Sequence, residues 1–252
     1  MTLYLIGLGL ADEKDISVKG LEIVKRADII YLEQHTSLLQ CTAADLERFY
    51  GKKITLADRS TSEQGAEKIV AEAKHQEVAF LIVGDPFSAT THIELLKLAK
   101  QKKVPVQVVH NASILTAIGV TGLQLYKFGR VASLPFPEDV PRLETPYKLL
   151  QQNLYLEMHT LFLLDLKPQE GKFMGIKDGL EILERIEARK KEHLIKDDML
   201  VVGCARLGSR SQLIKWGKWK DIKKIAFGKP PFCFIILGKL HFMEKEMLRL
   251  WR

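Results

Sequence analysis

Residues 3–21 read LYLIGLGLADEKDISVKGL: an apolar run that breaks into two glycines one residue apart, then a polar stretch. A short strand that ends in closely spaced glycines often opens a nucleotide-type binding loop, because backbone without a Cβ can approach a ligand closely. Gly7 and Gly9 supply the first two positions of a G-x-G-x-x-G pattern, but the third is Asp12. A polar stretch then separates the glycines from the following helix, so the helix N-terminus that would hold a pyrophosphate is displaced. Glu33, at the end of the second strand, stands close to where a dinucleotide-binding domain places the acid for a ribose hydroxyl. The stretch fixes a strand and a loop, and leaves open a dinucleotide, another cofactor or a plain tight turn.

Outward from this point, strand and helix patterns alternate. LYLIG (3–7) is a strand, ISVKGLEIVKRA (16–27) an amphipathic helix and DIIYLE (28–33) a strand. AADLERFYG (43–51) is a helix closed by Gly51, KITLA (53–57) a strand and SEQGAEKIVAEAKHQ (62–76) a helix. VAFLIVGDP (78–86) begins as a continuous apolar strand of the kind buried on both faces. THIELLKLAKQK (91–102) is a helix, and VPVQVVHNAS (104–113) a strand that leads into ILTAIG (114–119). Alternation at this spacing predicts βαβ units and a parallel sheet covered by helices.

The rhythm changes at TGLQLYKFGR (121–130), which has glycines and no clear helix. SLPFPEDVPRLETP (133–146) holds four of the nine prolines and must be a loop or an irregular edge. Beyond it come a helix (147–157), a buried strand (159–166), a helix (178–191) and strands MLVVGCARLG (199–208) and FCFIILG (232–238). Two α/β domains follow, residues 1–121 and 122–252, the second more mixed.

With no long apolar run, none of the chain reads as membrane-spanning, and the acidic residues after the opening strand are unlike a signal peptide's cleavage region. Cys41, Cys204 and Cys233 are odd in number and never in a C-x-x-C, so they read as reduced cysteines of a cytoplasmic protein. The net charge is +7. Its basic surplus concentrates in EARKKEHLIK (187–196) and KWGKWKDIKKIAFGK (215–229). Lys215, Trp216, Lys218, Trp219 and Lys220 interleave stacking and phosphate-binding residue types, yet match no RNA-binding module, and a solvated face accounts for them. His92, His110 and His159 lack metal-ligand spacing and read as structural histidines; no metal is expected. There is no G-x-S-x-G and no cysteine with a recognisable catalytic partner.

In open parallel sheets, ligands gather at the C-terminal strand ends. Four such ends carry small or polar residues: Gly7 to Leu10, Gly84 to Thr91, His110 to Ile114, and Leu164 to Leu166. Pro86 forces a turn out of a buried strand and Asp85 offers a carboxylate, as turn residue or as ligand contact. Thr90, Thr91 and Ser113 are suited to cap helices.

Several segments together carry a family resemblance. YLIGLGLADEKDISVKGLEIVKRAD (4–28), VAFLIVGDPFSATTH (78–92), VVHNASILTAIGVTGLQLYKFG (108–129), HTLFLLDLK (159–167), CARLGS (204–209) and GKLHFMEKEML (238–248) resemble the diphthine synthases. These are the methyltransferases of diphthamide biosynthesis, within the tetrapyrrole-methylase-like class. The resemblance covers nearly the whole chain in order. It implies two α/β domains with S-adenosylmethionine in the cleft between them, usually in a homodimer. The acceptor it implies is a histidine of translation elongation factor 2 bearing an aminocarboxypropyl group, trimethylated at the amine, with a further carboxylate methyl in the eukaryotic type. Carried over by position, the cofactor contacts are Leu10, Asp85, Ser88, Ser113, Ile114, Leu166, Leu207 and Phe232. Neither a membrane nor a direct nucleic-acid partner is expected. HNASI and FYGKK are closer to the eukaryotic branch, whereas the segment from Pro135 to Pro146 is shorter and poorer in tryptophan than in that branch. Glu33-Gln34-His35-Thr36-Ser37 stands where the family commonly reads Glu-x-Tyr-Thr-Ser. Transfer to an amine or carboxylate would be a direct in-line displacement without a covalent enzyme intermediate, and no residue presents itself as the general base. The rival readings are a tetrapyrrole-precursor methyltransferase of the same fold, a basic RNA-binding protein and an NAD-dependent dehydrogenase.

Overall fold

The structure, a computed structural model, describes residues 1–33, 37–57, 65–89 and 92–251. The chain divides into two compact units, Met1–Ala117 and Ile118–Arg252. Sequence patterning sets the division between residues 121 and 122.

The first unit runs β1 (Leu3–Gly7), α1 (Val18–Arg26), β2 (Ile29–Glu33), α2 (Ala43–Tyr50), β3 (Thr55–Ala57), α3 (Ala66–Glu72), β4 (Val78–Ile82), α4 (Ile93–Gln101), β5 (Val106–Val109) and α5 (Ile114–Ala117). Its five strands are all parallel, in the order β3-β2-β4-β1-β5. Successive side chains of a strand point to opposite faces, and the two faces here have separate cores. Tyr4 and Ile6 pack with Ile23, Val24, Leu46 and Tyr50 of α1 and α2. Leu3 and Leu5 pack with Ile69, Val70, Leu95 and Ala99 of α3 and α4. That is why the strands read as unbroken apolar runs rather than alternating ones. The helix ends follow local chemistry: Ser17 Oγ accepts from the Gly20 amide at the start of α1. Thr42 and Asp45 form a reciprocal capping pair on α2, and Gly51 ends it at a φ of 70°. Thr90 and Thr91, suited to cap α4, lie outside the described residues, as do Gln34, His35 and Thr36.

The second unit contains β6 (Ala132–Leu134), α6 (Thr145–Tyr155), β7 (Thr160–Leu164), the hairpin β8 (Leu166–Lys167) and β9 (Lys172–Phe173), and α7 (Ile176–Lys190). It continues through β10 (Leu200–Ala205), β11 (Leu213–Lys218), α8 (Trp219–Ile222), β12 (Phe232–Ile236) and α9 (Phe242–Leu248). The sheet order is β11-β10-β12-β7-β6, antiparallel except for the β6–β7 pair. The proline-rich segment thus opens with a short edge strand, the position in a sheet where prolines are tolerated. One face packs Phe162, Val201, Phe234 and Ile236 against Leu150, Leu180, Leu183 and Trp219. Phe162 and Phe234 stack at 4.8 Å.

One sequence expectation changes here. The lysine-and-tryptophan stretch is not a loose basic face: LIKWGK is the edge strand β11, and Trp219 is fully buried. Trp219 Nε1 donates to Glu184 Oε1 at 2.7 Å, so its ring serves the core and offers no stacking platform. Cys204 and Cys233, distant in sequence, are register partners across β10 and β12. Both are free thiols, and the contact with Cys233 together with burial pushes the Cys204 pKa up, keeping it neutral.

Candidate functional site

The loops after β4, β1 and β5 leave from three adjacent strands, so the first unit brings three of the four sequence-predicted segments to one sheet end. They are bound to one another. Gly9 and Gly84 exchange backbone hydrogen bonds at 3.2 and 2.7 Å, and the Leu8 amide donates to the Ile82 carbonyl at 2.8 Å. Gly9 and Gly84 adopt φ of 79° and 81°, a region that glycine enters freely. A Cβ on Gly7 would stand 2.5 Å from the Gly84 carbonyl oxygen. The glycines therefore let two loops close on each other, which sequence alone assigned to ligand approach.

The amides beyond the glycines are also accounted for. Asp15 Oδ2 accepts from Leu10 N at 3.1 Å and Ala11 N at 2.7 Å. In a dinucleotide loop amides of this kind would face phosphate; here the Asp15 side chain, from the polar stretch itself, takes them. Asn111 Nδ2 donates to the carbonyls of Gly7 and Asp15, both at 2.9 Å, and so ties the β5 loop to the β1 loop. Glu33 is fully buried, and β4 lies between its strand and β1. That strand order removes Glu33 from the place a ribose would need it.

Asp85 is the hub of the cluster. Its Oδ1 accepts from Phe87 N at 3.0 Å and Ser88 Oγ at 3.2 Å, and its Oδ2 faces His110 Nδ1 at 2.7 Å and Asn111 N at 3.2 Å. Burial by itself would raise the Asp85 pKa, but the donors outweigh it and hold the carboxyl below its usual range. A carboxylate has about four acceptor sites, and four donors occupy them. Ser113 caps α5: its Oγ accepts from Leu115 N at 3.2 Å and its carbonyl from Ala117 N at 2.9 Å. Leu10, Ser88 and Ile114 are half-buried at this rim. The rim combines apolar side chains with ionised, fully engaged polar ties, a lining suited to a small ligand that is itself partly apolar.

In the second unit, Leu166 follows the C-terminal end of β7, Leu207 follows that of β10, and Phe232 begins the antiparallel β12. Ala205 pairs with Phe232, and Cys233 with Leu163. The register therefore places all three residues at one end of that sheet. Arg206 fixes this end: its Nε donates to the Ser211 carbonyl at 3.0 Å, and its Nη1 to the carbonyls of Phe227 (2.9 Å) and Lys229. Sequence reasoning missed the roles of Asn111 and Arg206, whose partners include main-chain atoms of segments that only the fold brings close, and that of Asp15, which takes two amides of its own loop. The other two histidines are placed elsewhere: His92 is buried against Phe80, and His159 lies within the second unit's core.

Residues 2–223 match the family described as Tetrapyrrole (Corrin/Porphyrin) Methylases. A relative from Dictyostelium discoideum, named diphthine methyl ester synthase, is 42% identical, with 100% of this chain and 98% of that protein covered. That alignment runs over 269 residues, more than this chain's length, so the relative carries insertions that are missing here. A relative from Methanocaldococcus jannaschii, named diphthine synthase, is 44% identical over 250 residues, covering 98% of this chain and 97% of its own. A solved structure described as the crystal structure of diphthine synthase is 39% identical with a TM-score of 0.91, covering 100% of this chain and 96% of that one.

Proposed function

The chain belongs to the tetrapyrrole methylases and, within them, to the diphthine synthases, and from that premise we propose that it methylates the aminocarboxypropyl-modified histidine of translation elongation factor 2 with S-adenosylmethionine. The observation that carries the reading is the cross-tied rim at the ends of β4, β1 and β5, which holds half-buried Leu10 and Ile114 beside a fully bonded Asp85.

S-adenosylmethionine would supply a methyl group already activated on a sulfonium. The chain's own task is then positioning and exclusion of water. Leu10 and Ile114 offer apolar surface to the ligand, Ser88 and Ser113 flank it, and Asp85 acts through the loops that it holds in place. Leu166, Leu207 and Phe232 belong to the proposal as further cofactor residues from the second unit. Three amine methylations are the core of the reading, with a carboxylate methylation added if the chain is of the eukaryotic type. Action in the cytoplasm as a homodimer is part of the same proposal. Sedimentation analysis tests the self-association. Among the described residues no helix is long and apolar enough to cross a membrane.

Mass spectrometry of aminocarboxypropyl-modified elongation factor 2 after incubation with the protein and S-adenosylmethionine is expected to show trimethylation. Methyl transfer to a tetrapyrrole precursor and none to the factor would replace the proposed acceptor. Asp85→Ala is expected to weaken S-adenosylmethionine binding measured by calorimetry and to lower Tm, since four donors lose their acceptor. Unchanged affinity in the folded variant would remove Asp85 from the site.

A further inference from the structure

Resting on that methyl-transfer reading, we infer that His110 is the general base that takes the proton from the acceptor amine before each transfer. The ring stands at the β5 end of the rim, in sequence just before Ser113 and Ile114 and in space against Asp85. His110 Nδ1 is 2.7 Å from Asp85 Oδ2, with the His110 side chain 69% exposed and that of Asp85 9% exposed. A buried, ionised carboxylate at this distance requires a hydrogen on Nδ1, so the lone pair of the neutral ring is on Nε2. Phe87 meets the ring edge-on at 6.3 Å and limits its rotation. The result is an imidazole whose tautomer and direction are set on one side while the other side is open to a substrate. Catalytic histidines that accept protons are oriented by a carboxylate in this way.

Among the described residues, the β1 loop carries Asp12, Glu13, Lys14 and Asp15, and the charged group within hydrogen-bond reach of the His110 ring is Asp85. The Asp15 carboxylate is turned to the amides of Leu10 and Ala11, and its carbonyl to Asn111. Asp85 is thus the charge that His110 meets directly.

The chemistry needs such a group. A protonated amine carries three hydrogens, and a trimethylated one carries none, so each of three rounds removes one proton. In each round the proton passes to Nε2. The freed nitrogen lone pair forms the N–C bond, and the C–S bond breaks with its electron pair going to sulfur. The imidazolium then returns its proton to water.

His110→Ala and His110→Gln are expected to lower kcat for amine methylation by about 10²-fold at neutral pH, with little change in calorimetric affinity for S-adenosylmethionine. The deficit should narrow as pH rises and the amine deprotonates unaided, and imidazole in the buffer should restore part of the rate to His110→Ala. Independently of turnover, ¹⁵N NMR of the free protein should show the Nδ1–H tautomer for His110. An Nε2–H tautomer, an unchanged kcat and pH profile, or equal losses of rate and cofactor affinity without imidazole rescue would overturn the assignment. If the unaltered protein methylates no amine on the factor, the underlying reading falls, and this one with it.

Discussion

Glu244→Ala is expected to be the most destabilising single change in the second unit, costing about 3–5 kcal/mol. Glu244 is fully buried. Its Oε1 accepts from Gln124 N at 2.9 Å and faces His159 Nε2 at 3.0 Å. Its Oε2 accepts from Lys127 Nζ at 2.7 Å and His241 N at 2.8 Å. Since His159 Nδ1 accepts from Gly238 N at 3.0 Å, the ring is neutral with its hydrogen on Nε2. Truncation would leave a buried histidine and two amides without their acceptor and Lys127 with the Lys239 carbonyl alone, and would release α9 from the turn at 124–127. Urea unfolding measures the loss, and hydrogen exchange over 242–248 locates it. A variant within 1 kcal/mol of the unaltered protein would show that water replaces the carboxylate at little cost.

The same cluster sets an acid limit. Burial would raise the Glu244 pKa, but Lys127, the two amides and His159 outweigh it and hold it at about 2. A carboxyl lowered in the folded state contributes stability above its unfolded value of 4.5, and that contribution fades as pH falls from there toward 2. Burial likewise lowers His159 below 6.5, against the pull of Glu244. The unfolded chain therefore binds the His159 proton first, and stability falls once pH drops below 6.5. Both groups act in the same direction, so acid should lower the stability of the second unit over two overlapping pH ranges, the first of which His159→Gln removes.

Gly7→Ala is expected to abolish the rim and to reduce S-adenosylmethionine affinity by about 10²-fold, the cost of an ångström-scale displacement in a positioned site. Its Cβ would stand 2.5 Å from the Gly84 oxygen, 2.9 Å from Asn111 Cβ and 3.1 Å from Pro86 Cδ. The first of these is main chain and cannot rotate away, so β1 and the β4 loop must separate. Overpacking of this kind costs about 1–3 kcal/mol in stability. Gly51→Ala is the matched control. Its Cβ would meet nothing within 4 Å, and only the backbone strain of a φ of 70° remains. A thermal melt should register both variants, and calorimetry only Gly7→Ala; intact affinity in Gly7→Ala would mean that the ligand does not use this rim.

The alternation of the first unit was legible because its information is local. Apolar runs mark strands buried on both faces, and Gly51 marks a helix end. Strand order is not local: nothing in YLIG or VAFLI indicates that β4 sits between β1 and β2, and this placement is what separates Glu33 from the glycines. The rim was legible as a set of loops, but not as a set of bonds. Asp85 was visible as a turn residue, whereas its reach into the β5 loop, and that of Asn111 into the β1 loop, depends on register. The edge strand β11 was hidden because a half-exposed strand carries lysines and tryptophans as easily as a surface helix does. Glu244 and His159 lie 85 residues apart, so no sequence window joins them.

The strand order of the second unit also bears on how the chain matures during synthesis. β12 hydrogen-bonds to β10 on one side and to β7 on the other, so residues 232–236 join two halves of a sheet made much earlier. The first unit's sheet is complete once Val109 has left the ribosome. The second waits for residues 232–236, and until then β7 and β10 each offer an open edge. Chaperone engagement should accordingly concentrate on ribosome-bound chains that end between β10 and β12.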